Sequence, residues 1–434
     1  MSQRPTYSKR EQRGWYMYDW ANSTFASTVV TLFLGPYLTV LAKAAAGTDG
    51  RVHPLGIPVE PRSWWGYLIS VSVISQVLVL PLVGTIADFS RDKKRLMAWL
   101  AYIGALATGA MFFLADGAYL AGGLLFLVAN LAFGASIVVY NSFLPDIAPP
   151  EERDAVSSKG WGIGYLGGGL LLALNLALFA KSKALGISES LAVRINLASA
   201  GLWWALFTVI PLLTLQNRPP GRMSGRVRPF AAFLNTVRNM RNYPETLRFL
   251  IAFLLYNDAV QAVITLAAQF GNDELKISMA DLTMVILMVQ FVAFFGSFLF
   301  DWIAGWIGAK PAVVLSLVIW TGILVAMYVS VRTKNQFFIA AAVVAIVLGG
   351  TQALSRSLFS QMIPKGREAE YFGVYEISDK GTSWMCPLLF GLALQFTGSY
   401  RLAILSLVTF FLAGLMVLVK VDVRLAAAEA RAET

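Results

Sequence analysis

Residues 336–363 read QFFIAAAVVAIVLGGTQALSRSLFSQMI, and Arg356 is the only charged residue in this long apolar run. A helix needs about 20 mainly apolar residues to cross the ~30 Å hydrocarbon core of a bilayer. Eleven other runs of this kind lie along the chain, and none alternates as a membrane-spanning strand does. The sequence therefore predicts an all-α membrane protein with twelve transmembrane helices, numbered here as spans 1 to 12: residues 13–42, 63–87, 95–115, 118–144, 160–180, 192–215, 246–270, 281–309, 311–331, 336–363, 372–396 and 399–420.

The composition of the 434 residues excludes several classes of function. Hydrophobic residues make up 57% of the chain, charged residues 14%, and the mean hydropathy is +0.63, whereas soluble domains carry about 25% charge. The single cysteine, Cys386, excludes an intramolecular disulfide, and the single histidine, His53, excludes a histidine-rich metal site. An integral membrane enzyme, the main rival class, would need a nucleophile–base pair, a metal cluster or a large soluble domain. We therefore expect no enzyme, no metal and no cofactor.

The distribution of positive charge predicts the orientation in the membrane. A net charge of +10 suggests nucleic acid in a soluble chain, but here the basic residues stand between apolar spans, so we expect no nucleic-acid partner. If the N-terminus is cytoplasmic, 24 of the 35 Lys and Arg residues fall in cytoplasmic segments and 10 in outer segments. This bias predicts that both termini and the central loop are cytoplasmic. No short apolar leader precedes span 1, so we expect the N-terminus to be retained.

The central loop divides the chain into two halves of six spans each. We predict an N-terminal bundle over residues 1–215, a cytoplasmic linker over 216–245 and a C-terminal bundle over 246–434. Part of the linker, near 226–243, has apolar residues at helical spacing and arginines elsewhere, which predicts an amphipathic helix. This helix either lies on anionic lipid at the inner surface or is an ordinary linker helix.

The two halves repeat each other weakly along their length. Ser142 near the end of span 4 matches Ser357 near the end of span 10 at an offset of 215 residues. In span 1, Tyr18 matches Tyr256 of span 7 at an offset of 238 residues. Because the matches occur in the same order in both halves, they indicate the parallel repeats of a secondary transporter.

Several segments also resemble a known family. The segment from Gly84 to Arg95 is similar to the loop after the second helix of the major facilitator superfamily, although the usual Gly and first Arg do not follow Asp88. Three longer stretches resemble the vacuole-effluxer-like branch of that superfamily: 18–23, 141–153 with Gly167 to Gly169 beyond it, and 349–357 with 364–370. That branch includes a fungal vacuolar amino-acid exporter and many bacterial members. The resemblance implies a major facilitator fold in which spans 1, 4, 7 and 10 line a central cavity, and we expect a monomer in a bacterial inner membrane.

Polar side chains at membrane depth are costly, and each one is therefore a candidate for function. Spans 1, 4, 7 and 10 carry an unusual number of them. The planar fork of Arg356 suits a carboxylate, and an acidic residue suits an amine, so the set fits a zwitterion. We predict that the solute contacts these residues: Tyr18, Asp19, Asn22, Tyr140, Asn141, Asn257, Asp258, Gln261, Gln352 and Arg356.

A structural role is an equally open interpretation of the charged members. Asp19 or Asp258 would then pair with Arg356 to close a cytoplasmic gate, and we expect Asp258 to be its acidic complement. Two acids facing one Arg leave one carboxylate unmatched, which is a plausible proton carrier.

The candidates for the proton carrier are Asp19, Asp258 and Glu376. Glu376 is followed by Asp379 and Lys380 at helical spacing, and this spacing is more often that of a local ion pair. Both interpretations of Glu376 remain open at this point.

The resemblance further implies that the loop after span 2 acts as a latch, which holds the two halves together on the cytoplasmic side. By this resemblance the latch residues are Gly84, Asp88, Arg91, Lys93 and Arg153. The alternative is that the basic residues of this loop serve only as an orientation signal.

Together these patterns predict a secondary active transporter that moves a small polar or zwitterionic, amino-acid-like solute by alternating access with proton coupling. A drug or organic-cation antiporter is the alternative transporter. A membrane receptor or sensor with a transporter fold is the alternative from another class.

Overall fold

The computed structural model describes residues 7–115, 117–218, 230, 238–380 and 385–432. Within these residues the chain is helical apart from its loops and one isolated antiparallel bridge between Val52 and Val59. The helical segments are α1 Lys9–Ala44, α2 Pro61–Phe89, α3 Lys93–Phe113, α4 Tyr119–Ile147, α5 Pro150–Ala180, α6 Glu189–Thr214, α7 Pro244–Glu274, α8 Met279–Ile307, α9 Ala309–Val329, α10 Lys334–Gln361, α11 Glu368–Lys380, α12 Met385–Thr397, α13 Tyr400–Val419 and α14 Val423–Ala432.

These helices confirm the predicted all-α membrane class. In the described part of the chain, eleven helices (α1 to α10 and α13) are long and apolar enough to cross a membrane, and α12 is a shorter apolar helix. Helices α11 and α12 together cover predicted span 11 within the described residues. Residues 381–384 between them, and most of the amphipathic helix predicted near 226–243, lie outside the described residues.

The first helix of each half contains a π-helical segment. In α1 it covers Phe25–Phe33, and the backbone N–H of Leu34 donates to the Val29 carbonyl five residues back. In α7 it covers Phe270–Glu274, where Leu275 N–H reaches the Phe270 carbonyl. π-helical turns are rare, and both first helices contain one.

Each half has its own buried core. In the first half the core includes Trp15 and Trp204, which are both fully buried. In the second half it includes Trp320, whose ring stacks on Phe411 with centroids 5.3 Å apart. Ala369 of α11 joins the core of the first half, so the two six-helix bundles meet along this helix.

Small residues allow the two halves to approach each other closely. A Cβ atom added to Gly84 of α2 would lie 2.3 Å from the Ala369 carbonyl oxygen of α11. A Cβ atom added to Gly162 of α5 would lie 2.6 Å from the Ser297 Oγ of α8. Neither position tolerates a side chain without a shift of the backbone or its neighbour, which explains the glycines of span 5 as a packing surface.

Contacts of Arg153 at the start of α5 and of Thr246 at the start of α7 with Ser360 and Met362 at the end of α10 bring the first helices of both halves to one face. The Glu11 carboxylate at the start of α1 accepts from Gln216 N–H at 3.0 Å, just after α6 ends. The Glu245 carboxylate at the start of α7 accepts from Asp422 N–H at 2.7 Å, just after α13 ends. We call the end that carries these residues the terminal face, and the other end the opposite face.

Candidate functional site

A cavity of about 650 Å³ lies between the two halves. Its walls come from α1, α2, α4 and α5 of the first half and mainly from α7, α8, α10 and α11 of the second, which is a wider set than the four helices expected. The cavity extends from Thr31 and Phe337 near the opposite face to Asp19 and Arg356 at its floor. The cavity walls toward the opposite face are largely aliphatic, and the floor is polar.

Most of the residues predicted for the site border this cavity, and three do not. The residues that border it are Asp19, Asn22, Asn141, Asn257, Gln261, Gln352, Arg356 and Glu376. Tyr18, Tyr140 and Asp258 are not among the described residues that line it. Tyr140 nevertheless belongs to the site, because its hydroxyl donates to Asp19 Oδ2 at 2.7 Å.

The floor of the cavity is built around Arg356, which is 3% exposed. Nε and Nη2 donate to the Oγ and the carbonyl oxygen of Ser157, each at 2.9 Å. Both Nη atoms donate to Asp19 Oδ2 at 3.2 Å, and Nη1 also donates to Asn141 Oδ1 at 3.3 Å. A guanidinium has five N–H donors, and these five contacts use all of them. In this conformation Arg356 has no donor left for a solute carboxylate.

Asp258 does not pair with Arg356, and this part of the prediction is wrong. Asp258 is fully buried inside the second half. Its Oδ2 accepts from the backbone N–H of Cys386 at 2.9 Å, in the first turn of α12, while Oδ1 has no hydrogen-bond partner in the described structure. The Asp258 carboxylate therefore caps a helix of its own half.

The repeat explains why Asp19 and not Asp258 reaches the cavity. The offset that matches Tyr18 with Tyr256 also matches Asp19 with Asn257, and Asn257 does line the cavity. Asp258 is the next residue, and one residue turns the side chain by about 100° around a helix. It therefore points away from the cavity.

Two asparagines hold two acidic residues of α11. Asn141 Nδ2 donates to Glu376 Oε1 at 3.1 Å, which is a contact between the two halves. Asn257 Nδ2 donates to Asp379 Oδ1 at 2.6 Å, which is a contact within the second half. The Lys380 side chain lies outside the described structure, so a local ion pair with Glu376 stays a prediction.

The sequence analysis missed several residues that build the floor. The rings of Trp15 and Trp161 lie 4.6 Å and 5.3 Å from the guanidinium carbon of Arg356, within cation–π range. The Tyr165 hydroxyl donates to Gln352 Oε1. Trp161 and Tyr165 stand four residues apart among the glycines of span 5. Two large rings on one face of a helix that is otherwise rich in small residues are the sequence signal that could have identified them.

Asp88 connects the two halves at the terminal face. Its two carboxylate oxygens accept from the backbone N–H groups of Ala369 and Glu370, at 2.9 Å and 2.8 Å. These are orphan donors in the first turn of α11, so Asp88 of one half acts as the N-cap of a helix in the other. Arg153 makes a second connection, because its Nη1 donates to the Ser360 carbonyl at 2.8 Å.

The other basic residues predicted for the latch, Arg91 and Lys93, form no hydrogen bond or ion pair with the second half among the described residues. Lys93 pairs with Asp146 of its own half at 3.3 Å. Arg91 is exposed and makes no side-chain hydrogen bond to the described residues. Arg91 therefore does not contribute to the latch in this conformation, whereas Lys93 interacts electrostatically with Glu368 of α11 as well as with Asp88 and Asp146 of its own half.

A line of contacts between α5 and α10 closes the cavity toward the terminal face. Ser157 Oγ donates to the Ala353 carbonyl at 2.7 Å. One turn closer to the face, the Ser357 hydroxyl donates to Asp154. We call these contacts, together with the Asp19–Arg356 pair, the terminal gate. In this structure the cavity is therefore closed at the terminal face and extends toward the opposite one.

The fold and the cavity define a membrane transporter with two pseudo-symmetric halves. The chain belongs to the vacuole effluxer Atg22-like family, whose model matches residues 7–431. An uncharacterized MFS-type transporter of Bacillus subtilis (strain 168), YxiO, is 30% identical over 94% of both chains. Autophagy-related protein 22 of Pyricularia oryzae is 26% identical over 92% of this chain and 74% of its own length. The name of the Bacillus subtilis relative describes a transporter of the major facilitator type.

Solved structures support the same fold. A bacterial homologue of the iron transporter ferroportin in an outward-facing state superposes with a TM-score of 0.70 at 14% identity, covering 95% of this chain and 98% of its own. The Escherichia coli fucose:proton symporter FucP superposes with a TM-score of 0.68 at 10% identity, covering 95% and 98%. At these identities the similarity extends to the fold alone.

Proposed function

We propose that this protein moves a small polar or zwitterionic, amino-acid-like solute by alternating access, with proton coupling. The observation that carries the proposal is the cavity between the halves. Its polar floor takes side chains from both halves, and it is closed at one face while it extends toward the other. A site at the interface of two repeats that rock against each other is the arrangement that alternating access requires.

We propose that the terminal face is cytoplasmic in a bacterial inner membrane. The excess of Lys and Arg in the segments at this face supports the orientation. The present conformation is then open toward the outside and closed toward the cytoplasm. The name of the family, vacuole effluxer, supports efflux as the direction of transport.

In this proposal Arg356 closes the terminal gate, and the solute binds above it through neutral amides. Asn22, one turn from Asp19, lines the cavity and is 3% exposed, yet its Nδ2 has no hydrogen-bond partner in the described structure. A buried donor without an acceptor is costly, so a solute carboxylate or carbonyl at this position would satisfy it. Gln261 and Gln352 line the cavity with Asn22 and supply further amide groups.

We assign the coupling proton to Glu376 in preference to Asp19 and Asp258. Glu376 borders the cavity and contacts Asn141 of the other half. Asp19 is bound to Arg356 and Tyr140, and Asp258 faces the start of α12 away from the cavity. A proton on Glu376 would therefore act on a contact that must break in every transport cycle.

The second candidate function is the export of an organic cation in exchange for protons. One observation favours it: Asp19 neutralises Arg356, and the cavity wall also carries Glu376 and Asp379 beside aromatic rings such as Trp161. Such a wall suits a cation with an apolar body.

Uptake by proteoliposomes tests the proposal. The purified protein is first screened for stabilisation against amino acids, sugars and organic cations, because a ligand that binds the folded state raises its melting temperature. The stabilising solute is then supplied as a labelled compound, with and without an imposed proton gradient. Accumulation that follows the gradient is the expected result. Uptake that ignores the gradient would disprove proton coupling, and stabilisation without any uptake would favour a receptor.

A further inference from the structure

Arg356 belongs to the second half, but within the described structure the first half supplies every acceptor of its guanidinium. The three residues concerned are Asp19 of α1, Asn141 of α4 and Ser157 of α5. When the halves separate at the terminal face, all five hydrogen bonds are lost together. A guanidinium without a partner inside a membrane protein is very costly, so the open state needs another acceptor.

The second half carries one acid that is already joined to Arg356 through a single side chain. Asn141 accepts from Arg356 through Oδ1 and donates to Glu376 through Nδ2. Arginine has donors only and an ionised carboxylate has acceptors only, so this orientation of the amide is fixed by its two neighbours. Asn141 thus separates Arg356 from Glu376 in the closed gate.

Other acids of the second half near the cavity point elsewhere. Asp258 is engaged with the Cys386 N–H at the start of α12. Asp379, one turn from Glu376, accepts from Asn257 of its own half, and this contact survives when the halves separate. Glu376 is 4% exposed and faces the interface between the halves, where it contacts Asn141. It is therefore the acid in reach of Arg356.

We propose that Arg356 exchanges partners during transport: it pairs with Asp19 while the terminal gate is closed and with Glu376 once the gate has opened. Asn141 leaves with the first half, and the two residues it separated then close on each other. This inference rests on the alternating access proposed above. It adds a defined role for Glu376 in stabilising the open state and for Asn141 as the spacer of the closed state.

The test measures how often the terminal gate opens. Ser158 of α5 is fully buried beside the gate and serves as the reporter: the Ser158→Cys variant, in a Cys386→Ala background, is labelled by a maleimide in detergent. Opening of the gate exposes the thiol. Glu376→Gln keeps an acceptor for Asn141 in the closed state but removes the charged partner of the open state, so we expect labelling to slow by about tenfold or more.

Asp379→Asn is the matched control. It removes an acid from the same helix one turn away, where the asparagine contact lies within one half, and labelling should stay within about twofold of the parent. The melting temperature of each variant is recorded alongside. If Glu376→Gln does not fold, Glu376→Asp replaces it, and the shortened carboxylate should give a slowing that Asp379→Glu does not give.

Two results would overturn the partner exchange. One is labelling of Glu376→Gln at the parent rate or faster, and the other is an equal slowing by Asp379→Asn. Because labelling needs no solute and no proton gradient, it is independent of the uptake assay. Failed uptake with Glu376-dependent labelling would reject the proposed solute and keep the exchange, whereas successful uptake with Glu376-independent labelling would reject the exchange alone.

Discussion

The polar turns of α1 and α7 are related by the repeat but have different roles. In α1, Asp19 faces the cavity and accepts both Nη groups of Arg356 across the interface between the halves. In α7 the matching residue is Asn257, which donates to Asp379 of its own half. The acid of α7, Asp258, lies one residue further on and caps α12.

This difference shows that the gate is asymmetric. The first half contributes the carboxylate and the second half contributes the guanidinium, and no described residue of α7 reaches across to mirror Asp19. A charge at a repeated position therefore does not imply a repeated function. Separation of the halves breaks the contacts of Asp19, while the contacts of Asn257 and Asp258 remain.

The largest effect should come from breaking the charged pair of the gate. Arg356→Gln strands the buried Asp19 carboxylate, and loss of one partner of a buried ion pair costs about 3–5 kcal/mol. Asp19→Asn in the same background should recover part of this loss, because it removes the stranded charge. Asp258→Asn should recover none of it. Chemical unfolding of the parent, the three single variants and the two double variants in detergent measures both double-mutant cycles. Recovery by Asp258→Asn would contradict the different roles assigned to Asp19 and Asp258.

A second prediction concerns the glycine that lies against the pair. A Cβ atom at Gly160 of α5 would stand 2.6 Å from Asp19 Oδ2 and 2.9 Å from Arg356 Nη2. Gly160→Ala should therefore force these two groups apart and destabilise the closed state by about 1–3 kcal/mol. Labelling of the Ser158→Cys reporter should accelerate. Gly305→Ala in α8, where no atom lies within 4 Å of the added Cβ, is the control, and equal effects at both glycines would contradict the prediction.

Asp88 and Asp258 both bind the first turn of a helix, and substituting each of them distinguishes an effect on gating from an effect on stability. Asp88 caps α11 across the interface, whereas Asp258 caps α12 within one half. Loss of an N-cap costs about 0.5–2 kcal/mol. Asp88→Asn should slow transport without weakening solute binding, because its contact biases the two states and does not touch the solute.

Asp258→Asn should lower the melting temperature and leave the ratio of transport to binding unchanged. Binding by thermal shift and uptake by proteoliposomes measure both quantities for each variant. If Asp88→Asn reduces binding and transport equally, the N-cap across the halves does not act as a latch.

The smallest effect is expected at the basic loop after α2. Arg91→Gln should change the unfolding free energy by less than about 0.5 kcal/mol and leave uptake unaltered, because the side chain is exposed. Lys93→Gln should cost more, since it removes the 3.3 Å contact with Asp146 in the first half. If Arg91→Gln instead shows a transport defect as large as that of Asp88→Asn, Arg91 belongs to the latch, as the family resemblance implies.

The sequence alone determined the membrane class, the number of apolar helices and the polar residues that matter. Hydrophobic length is a local property: a run such as 336–363 must be buried in lipid or protein wherever the chain places it. The cost of polar groups at membrane depth is local as well, and it identified Arg356, Asp19 and Asn141 without any knowledge of their contacts. Matching the two halves at the offset of 238 residues also indicates that Asp19 corresponds to Asn257 and not to Asp258.

Tertiary structure alone decided which of these residues meet. Asp19 and Arg356 are 337 residues apart in the chain, and their pairing depends on how α1, α5 and α10 are rotated and packed. A rotation of about 100° for one residue step separates a side chain that faces the cavity from one that faces a neighbouring helix, and the hydrophobic pattern of a nearly uniformly apolar span does not fix that rotation. Close packing at Gly160 and Gly162 fixes it instead, because side chains of α1, α8 and α10 occupy the space that a methyl group on these glycines would need.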